Sequence, residues 1–236
     1  MTWFVRMMFL RGFARALRRQ CKWAPTRREL AREMELLTDA RHMPGGDKQA
    51  AFNLLLAQSL QAAVRLLQGR GYGRARALEM ARAAFLENGS GLTQAIFAFW
   101  LRMTPDPVAQ MKVRRDLADK ARKLWGQGMQ VEERHAPDAV SLVVTDCPFA
   151  QYFWSVSEPD LAPILCAYDA RWMAQVNRSK RPVTVTRAGT LAGGAEACDF
   201  TFQRRDVAQK PKAKPILPVH PLNQMQRLRR PRRTEA

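Results

Sequence analysis

The sequence predicts an α+β protein: an N-terminal all-helical half, a small antiparallel sheet with packed helices, and a flexible basic C-terminal tail. Three observations predict it. Apolar residues recur at helical spacing up to about residue 127. After Gly128 the period shortens towards two, and β-branched runs take over. From about Val207 the chain turns to Pro, Lys and Arg, a composition that cannot bury a core. The boundaries that follow are a basic amphipathic helix at 1–25, a helical region at 26–127, an α+β cysteine-containing domain at 128–203 and a disordered basic tail at 204–236.

Residues 3–20 fit an amphipathic helix, with Phe9, Phe13, Ala16 and Leu17 on one side and Arg11, Arg15, Arg18, Arg19 and Lys22 on the other. Such a helix either packs on its own domain or lies on anionic lipid. Thr26 and Glu29 have capping-box spacing, opening a helix that runs to about Ala40. His42-Met43-Pro44-Gly45-Gly46 breaks it, and Asp47 starts an apolar helix through Gln68. Arg74–Glu87 is the next helix, Asn88-Gly89-Ser90-Gly91 a turn, and Leu92–Met103 and Pro107–Trp125 two more helices, with Asp106 capping the second.

Beyond Gly128, Met129–Arg134 and Val140–Thr145 are strands. Pro159-Asp160 opens a helix from Leu161 to about Val176, Val183–Thr186 is a third strand and Cys198–Gln203 a fourth. Along that last strand Cys198, Phe200 and Phe202 share one face, and Asp199 and Thr201 the other.

Charge and composition remove several function classes. The net charge of +18 resides mostly at the ends: +8 over residues 1–28 and +8 over 203–236, leaving +2 for the body. A DNA-binding domain carries its cations on the element that meets phosphate, so specific nucleic-acid binding is not expected. No apolar run of about 18 to 20 residues is evident, so no transmembrane span is expected. Four cysteines in 236 residues, with no secretory signal before them, point to a reducing cytoplasm rather than a disulfide scaffold. Peripheral contact with the inner membrane surface through residues 3–20 is the additional location that the basic helix suggests.

Chemistry concentrates in the last globular stretch. Cys147 follows a strand, Cys166 and Asp169 stand three apart on one helix, and Cys198 adjoins Asp199. A buried cysteine is most simply a small hydrophobe, but two of these are paired with a carboxylate, and a buried carboxylate needs a partner. Three thiols and Asp169 could also ligate a metal, yet no Cys-x-x-Cys knuckle is present, and His42, His135 and His220 lie outside the block. No metal or cofactor is therefore expected. Arg187 and Arg171 are cations suited to holding a substrate carboxylate.

Taken together, these blocks carry a resemblance. Cys147-Pro-Phe, Pro159-Asp-Leu-x-Pro-x-x-Cys166-x-x-Asp169, Arg187-x-Gly-Thr-Leu-x-x-Gly and Cys198-Asp-Phe-x-Phe occur in an order that resembles the L-2-amino-thiazoline-4-carboxylic acid hydrolase family. The resemblance implies hydrolytic opening of a small cyclic amidine to a carbamoyl-cysteine product. The residues available for that chemistry make Asp169 the expected general base, with Cys166 as an alternative covalent nucleophile or proton donor, Cys147, Cys198 and Asp199 lining the same pocket, and Arg187 gripping the substrate carboxylate. The alternative is a non-catalytic binding or accessory module of the same fold, held at a membrane surface by the N-terminal helix.

Overall fold

The computed structural model describes residues 3–37 and 46–205, with the side chains of Ser90 and Leu92 left aside. The expected tail at 204–236 lies outside the described residues from 206 on, while Arg204 closes the last strand and Arg205 donates to the Asn177 carbonyl at 2.8 Å; the end of the expected helix at Ala40 also lies outside them.

Four helices come first: α1 (Trp3–Gln20), α2 (Arg27–Leu36), α3 (Lys48–Gly69) and α4 (Arg74–Met103). Their starts follow local chemistry. The Thr26 hydroxyl accepts from the Glu29 amide at 3.3 Å while the Glu29 carboxylate accepts from the Thr26 amide at 2.7 Å, a complete capping box. Asp47 caps α3 through the Ala50 amide at 2.6 Å. Helix α1 buries Leu10, Phe13, Ala14, Ala16 and Leu17 against α2, α3 and α4, so the apolar face that could have met lipid is filled by the protein's own core.

One expectation about α3 is corrected. By length and composition this 22-residue helix, with a mean hydropathy of 1.3 over its most apolar window, is apolar enough to cross a membrane. Asn53, Gln58, Ser59 and Gln61 interrupt its apolar run in sequence, which is why it passes unnoticed. In the fold, 67% of that window is buried inside the protein.

A second correction concerns α4, a single helix of 30 residues that runs through the expected turn at 88–91. The polar and glycine residues there serve close packing. A Cβ on Gly89 would come within 2.8 Å of the Tyr168 ring, and one on Gly12 within 2.1 Å of Asn88 Oδ1. Asn88 donates to the Phe9 carbonyl at 3.2 Å, and Tyr168 OH donates to the Gly89 carbonyl. The glycines let α1 and a later helix approach α4 on two sides.

The expected helix 107–125 is two: α5 (Pro107–Val113) and α6 (Leu117–Trp125). Asp106 caps α5 through the Ala109 amide at 2.9 Å. Helix α6 restarts because a distant carboxylate stabilises its first turn: Glu133 Oε2 accepts from the Leu117 and Ala118 amides at 2.8 and 3.2 Å.

The sheet is antiparallel, in the order β1 (Gln130–Ala136), β2 (Ala139–Asp146), β4 (Cys198–Arg204), β3 (Val183–Arg187). Helix α7 (Pro148–Ser155), absent from the sequence reading, follows β2. A short 3-10 turn at Pro159–Leu161 leads into α8 (Ala162–Arg178). Arg74 holds that turn with a two-pronged contact to Asp160 at 2.9 and 2.5 Å and a bond to Glu158 at 3.1 Å.

Two buried clusters result. One gathers residues of α1–α4 with α7 and the first turn of α8; the other gathers the sheet with α5, α6 and Trp172 and Val176 of α8. Helices α4 and α8 contribute to both, which places the middle of α8 at their seam.

Candidate functional site

Helix α8 crosses the seam with Cys166 and Asp169 half-buried on one side. The strand neighbour is β3, whose edge is tied to α8 by Asn177. Its side chain donates to the Val185 carbonyl at 2.9 Å and accepts from the Val185 amide at 2.7 Å, as a strand partner would. That clamp sets Arg187, two residues further along β3, opposite Asp169. Arg187 Nη1 donates to Asp169 Oδ2 at 3.0 Å, and Nη2 to the Cys166 carbonyl at 3.1 Å.

The other oxygen, Asp169 Oδ1, accepts from the Trp172 indole at 3.1 Å. Trp172 is itself held by ring packing, lying parallel to Phe97 at 4.6 Å between centroids and stacked on Phe200 and Phe202 from β4. Phe200 also lies beneath the Arg187 guanidinium, 5.4 Å from it. The carboxylate is thus fixed at both oxygens by groups that are themselves immobilised.

Desolvation acts on this site more than its partners do. Burial raises the Asp169 carboxyl above its ordinary 3.8, with Arg187 and the Trp172 bond pulling the other way. Its side chain nonetheless keeps 30% of its accessibility, against 14% for Arg187, so Asp169 lies at a recessed but open position.

The thiols gather round it. Burial pushes Cys147 up to about 11, with the first amides of α7 opposing and the Cys198 and Asp169 charges adding to the rise. Burial and the Asp169 charge push Cys166 strongly upward. Burial also raises Cys198, against the Leu191 amide that donates to its sulfur at 3.2 Å and the Arg187 charge. Each thiol feels Asp169, so the structure brings Cys147, Cys166, Cys198, Asp169 and Arg187 to one locus. All three thiols are held protonated at neutral pH.

Local structure accounts for the Arg187-x-Gly-Thr-Leu-x-x-Gly block. Gly189 packs so closely on Ala195 that a Cβ there would come within 2.7 Å of it. The Thr190 hydroxyl accepts from the Gly193 amide at 3.0 Å, and Gly194 takes a φ of +86°, which favours glycine. This folded loop delivers the Leu191 amide to the Cys198 sulfur.

One expected residue lies apart. Asp199 is on the opposite face of β4, where it accepts from Thr201 Oγ1 at 2.9 Å and pairs in register with Val143. The alternation of β4 burial puts Cys198, Phe200 and Phe202 inward and Asp199 outward. Arg171 is half-buried on α8, where its charge reaches Tyr168. Trp172, Phe200 and the Leu191 amide were missed by sequence reasoning. The first was within reach, since Trp172 is one helical turn from Asp169.

The site is narrow. Two surface depressions, of about 370 and 260 Å³, lie elsewhere: one between the C-terminal ends of α4 and α8, the other beside the β1–β2 turn. Arg187 occupies the space between Asp169 and Phe200. Among the described residues no three His, Cys, Asp or Glu side chains group closely enough to hold a metal ion. The thiols surround Asp169 without forming a ligand set.

A family profile described as L-2-amino-thiazoline-4-carboxylic acid hydrolase matches residues 51–202, well over half of the chain. The chain belongs to this family. The matched residues run from α3 to β4 and include every member of the thiol–carboxylate locus, while α1 and α2 precede them. No curated protein matches the chain. Among solved structures, the Fe(II) unliganded H-NOX protein from K. algicida is 7% identical, with a TM-score of 0.26 over 74% of this chain and 87% of that one. A single-residue variant of that protein is also 7% identical, with a TM-score of 0.31 over 84% and 96%. Likenesses this slight bear on neither the fold nor the function.

Proposed function

We propose that the protein hydrolyses a small cyclic amidine such as 2-amino-thiazoline-4-carboxylate, giving a carbamoyl-cysteine product. The observation that carries this reading is the Asp169 carboxylate, desolvated yet accessible, fixed by Arg187 and Trp172 among three protonated thiols in a member of this hydrolase family.

In this reading Asp169 takes a proton from water as its oxygen attacks the ring amidine carbon. A carbon–oxygen bond forms, the carbon–sulfur bond of the ring breaks, and the oxygen becomes the carbonyl of the product. One water proton ends on the ring nitrogen and the other on the departing thiolate. The raised Cys166 thiol argues against a covalent role, because the thiolate is the nucleophilic form, and it also makes Cys166 a weak acid, so the proton that Asp169 takes from water serves the departing thiolate. Arg187 uses two of its five N–H groups on Asp169 and Cys166, leaving donors for a substrate carboxylate. Cys147 and Cys198 would flank Asp169, Arg171 would supply a second cation, and Asp199 on the far face of β4 would have no part.

The test is release of a free thiol from 2-amino-thiazoline-4-carboxylate and from a panel of cyclic amidines and ureas. Asp169→Asn is nearly isosteric but keeps one acceptor and turns its amide N–H2 towards Arg187 or Trp172, so turnover is expected to vanish with a modest fall in thermal midpoint, circular dichroism reporting that the fold persists. Turnover that survives in Asp169→Asn removes the general base. A second reading, a binding module without turnover, is favoured by one observation: Arg187 is already committed to Asp169, and two surface depressions lie elsewhere. Saturable binding of the carboxylate by wild type, without thiol release, would decide for it.

A further inference from the structure

The outer surface of α1 and α4 carries apolar side chains with no partner among the described residues. Trp3, Phe4 and Met8 are 72%, 65% and 56% exposed, and Ile96, Phe99 and Met103 are 53%, 66% and 63% exposed. These two groups adjoin. Helices α1 and α4 run antiparallel: Phe13 meets Phe85, Phe9 meets Phe85 and Asn88, and Cys21 feels Arg76. Extending that register carries the first turn of α1 to the level of residues just beyond Gly91 of α4. Ile96 and Phe99 stand eleven residues, three turns, after Phe85 and Asn88, and so lie on the same α4 face that α1 covers. Among the described residues α1 begins at Trp3, and beyond it Ile96 and Phe99 stay exposed.

Charge singles out what would cover it. Phe4, Met8, Arg11 and Arg15 follow one another at four-, three- and four-residue spacing, so a cationic run continues the exposed apolar end along the outside of α1. Arg11, Arg15, Arg18 and Arg19 are exposed, and α1 contains no acid. The C-terminal segment 206–236 has eight Lys and Arg against Asp206 and Glu235, and a second copy presents the same cations, so both are repelled. An anionic surface with an apolar interior is complementary to both features.

We propose that this face docks the protein on anionic lipid bilayers, with Trp3, Phe4 and Phe99 entering the headgroup boundary and Arg11 and Arg15 meeting lipid phosphates. The surface differs from the Phe9–Leu17 face, which is spent on the core. The proposal is independent of the chemistry proposed at Asp169.

The experiment is flotation of the full-length protein with vesicles of phosphatidylglycerol and phosphatidylcholine, beside phosphatidylcholine alone, at about 0.1 M salt. Wild type should float with the anionic vesicles only. Phe4→Ser with Phe99→Ser keeps every charge and touches no buried group, and should weaken binding at least about fivefold. Arg11→Glu with Arg15→Glu should do the same, and thermal midpoints report that each variant is folded. No flotation of wild type, or flotation unchanged in Phe4→Ser/Phe99→Ser and due to the C-terminal cations alone, overturns the proposal. A wild-type dimer in light scattering that dissociates on Phe99→Ser overturns it in favour of a second copy.

Discussion

Asp169 shows how one residue is tuned by its neighbours. Burial raises its carboxyl, and Arg187 and Trp172 restrain the rise. If it is the base, activity falls as pH drops through that raised value, so the acid limb of kcat/KM lies above 3.8, the ordinary carboxyl value. Trp172→Phe removes a bond to the charged form and keeps most of the ring packing. It is expected to move the acid limb upward, which a pH–rate profile reads directly. A limb that stays put would leave Trp172 a packing residue only. The thiols make a separate prediction. Cys147 is raised from 9.0 to about 11, so the folded protein keeps a proton that the unfolded chain loses in that interval. Stability is therefore complete below about pH 9 and declines as pH climbs towards 11, by about 2 to 3 kcal/mol for this thiol. Urea midpoints at about pH 8 and pH 11 should show the fall, and Cys147→Ala should reduce it.

Among the elements, α4 is the one whose sequence misleads. Asn-Gly-Ser-Gly reads as a turn because each residue lowers helix propensity, and on local grounds that reading is sound. The helix continues because α1 and α8 pack on it from two sides at separations a side chain would forbid. The glycines are consequently unequal. Gly89→Ala drives a methyl into the Tyr168 ring and is expected to cost about 1–3 kcal/mol. Gly91→Ala meets nothing within 4 Å and is expected to gain about 0.5–1 kcal/mol from propensity. Thermal melts of the two variants should shift in opposite directions. At α6 the lesson is similar: its start depends on Glu133, sixteen residues later in the chain. Glu133→Ala should cost about 1 kcal/mol by removing that cap.

At the scale of the whole molecule, α4 and α8 are shared by two cores, and the thiol–carboxylate locus lies where they meet. Helices common to both cores should make unfolding a single transition, with far-ultraviolet circular dichroism and tryptophan fluorescence melting together. Trp172→Ala, deep in the second core, should lower both probes equally, at a cost of about 3–5 kcal/mol. Separate transitions would mean that the cores are energetically independent.

The elements whose signals are local were legible in the chain itself. The capping box at Thr26 and Glu29, the caps at Asp47 and Asp106, the four strands and the separation of Cys198 and Asp199 onto opposite faces all rest on contacts within a few residues or on strand alternation. The family blocks were legible too, since each is contiguous. What only the tertiary structure decided are the long-range terms: the continuity of α4, the restart of α6, the burial of apolar α3, Asp199 turned away from the locus, and Arg187 of β3 brought onto Asp169. Each depends on a partner that folding supplies from another element, and interactions across such separations leave no period or spacing in the sequence that could announce them.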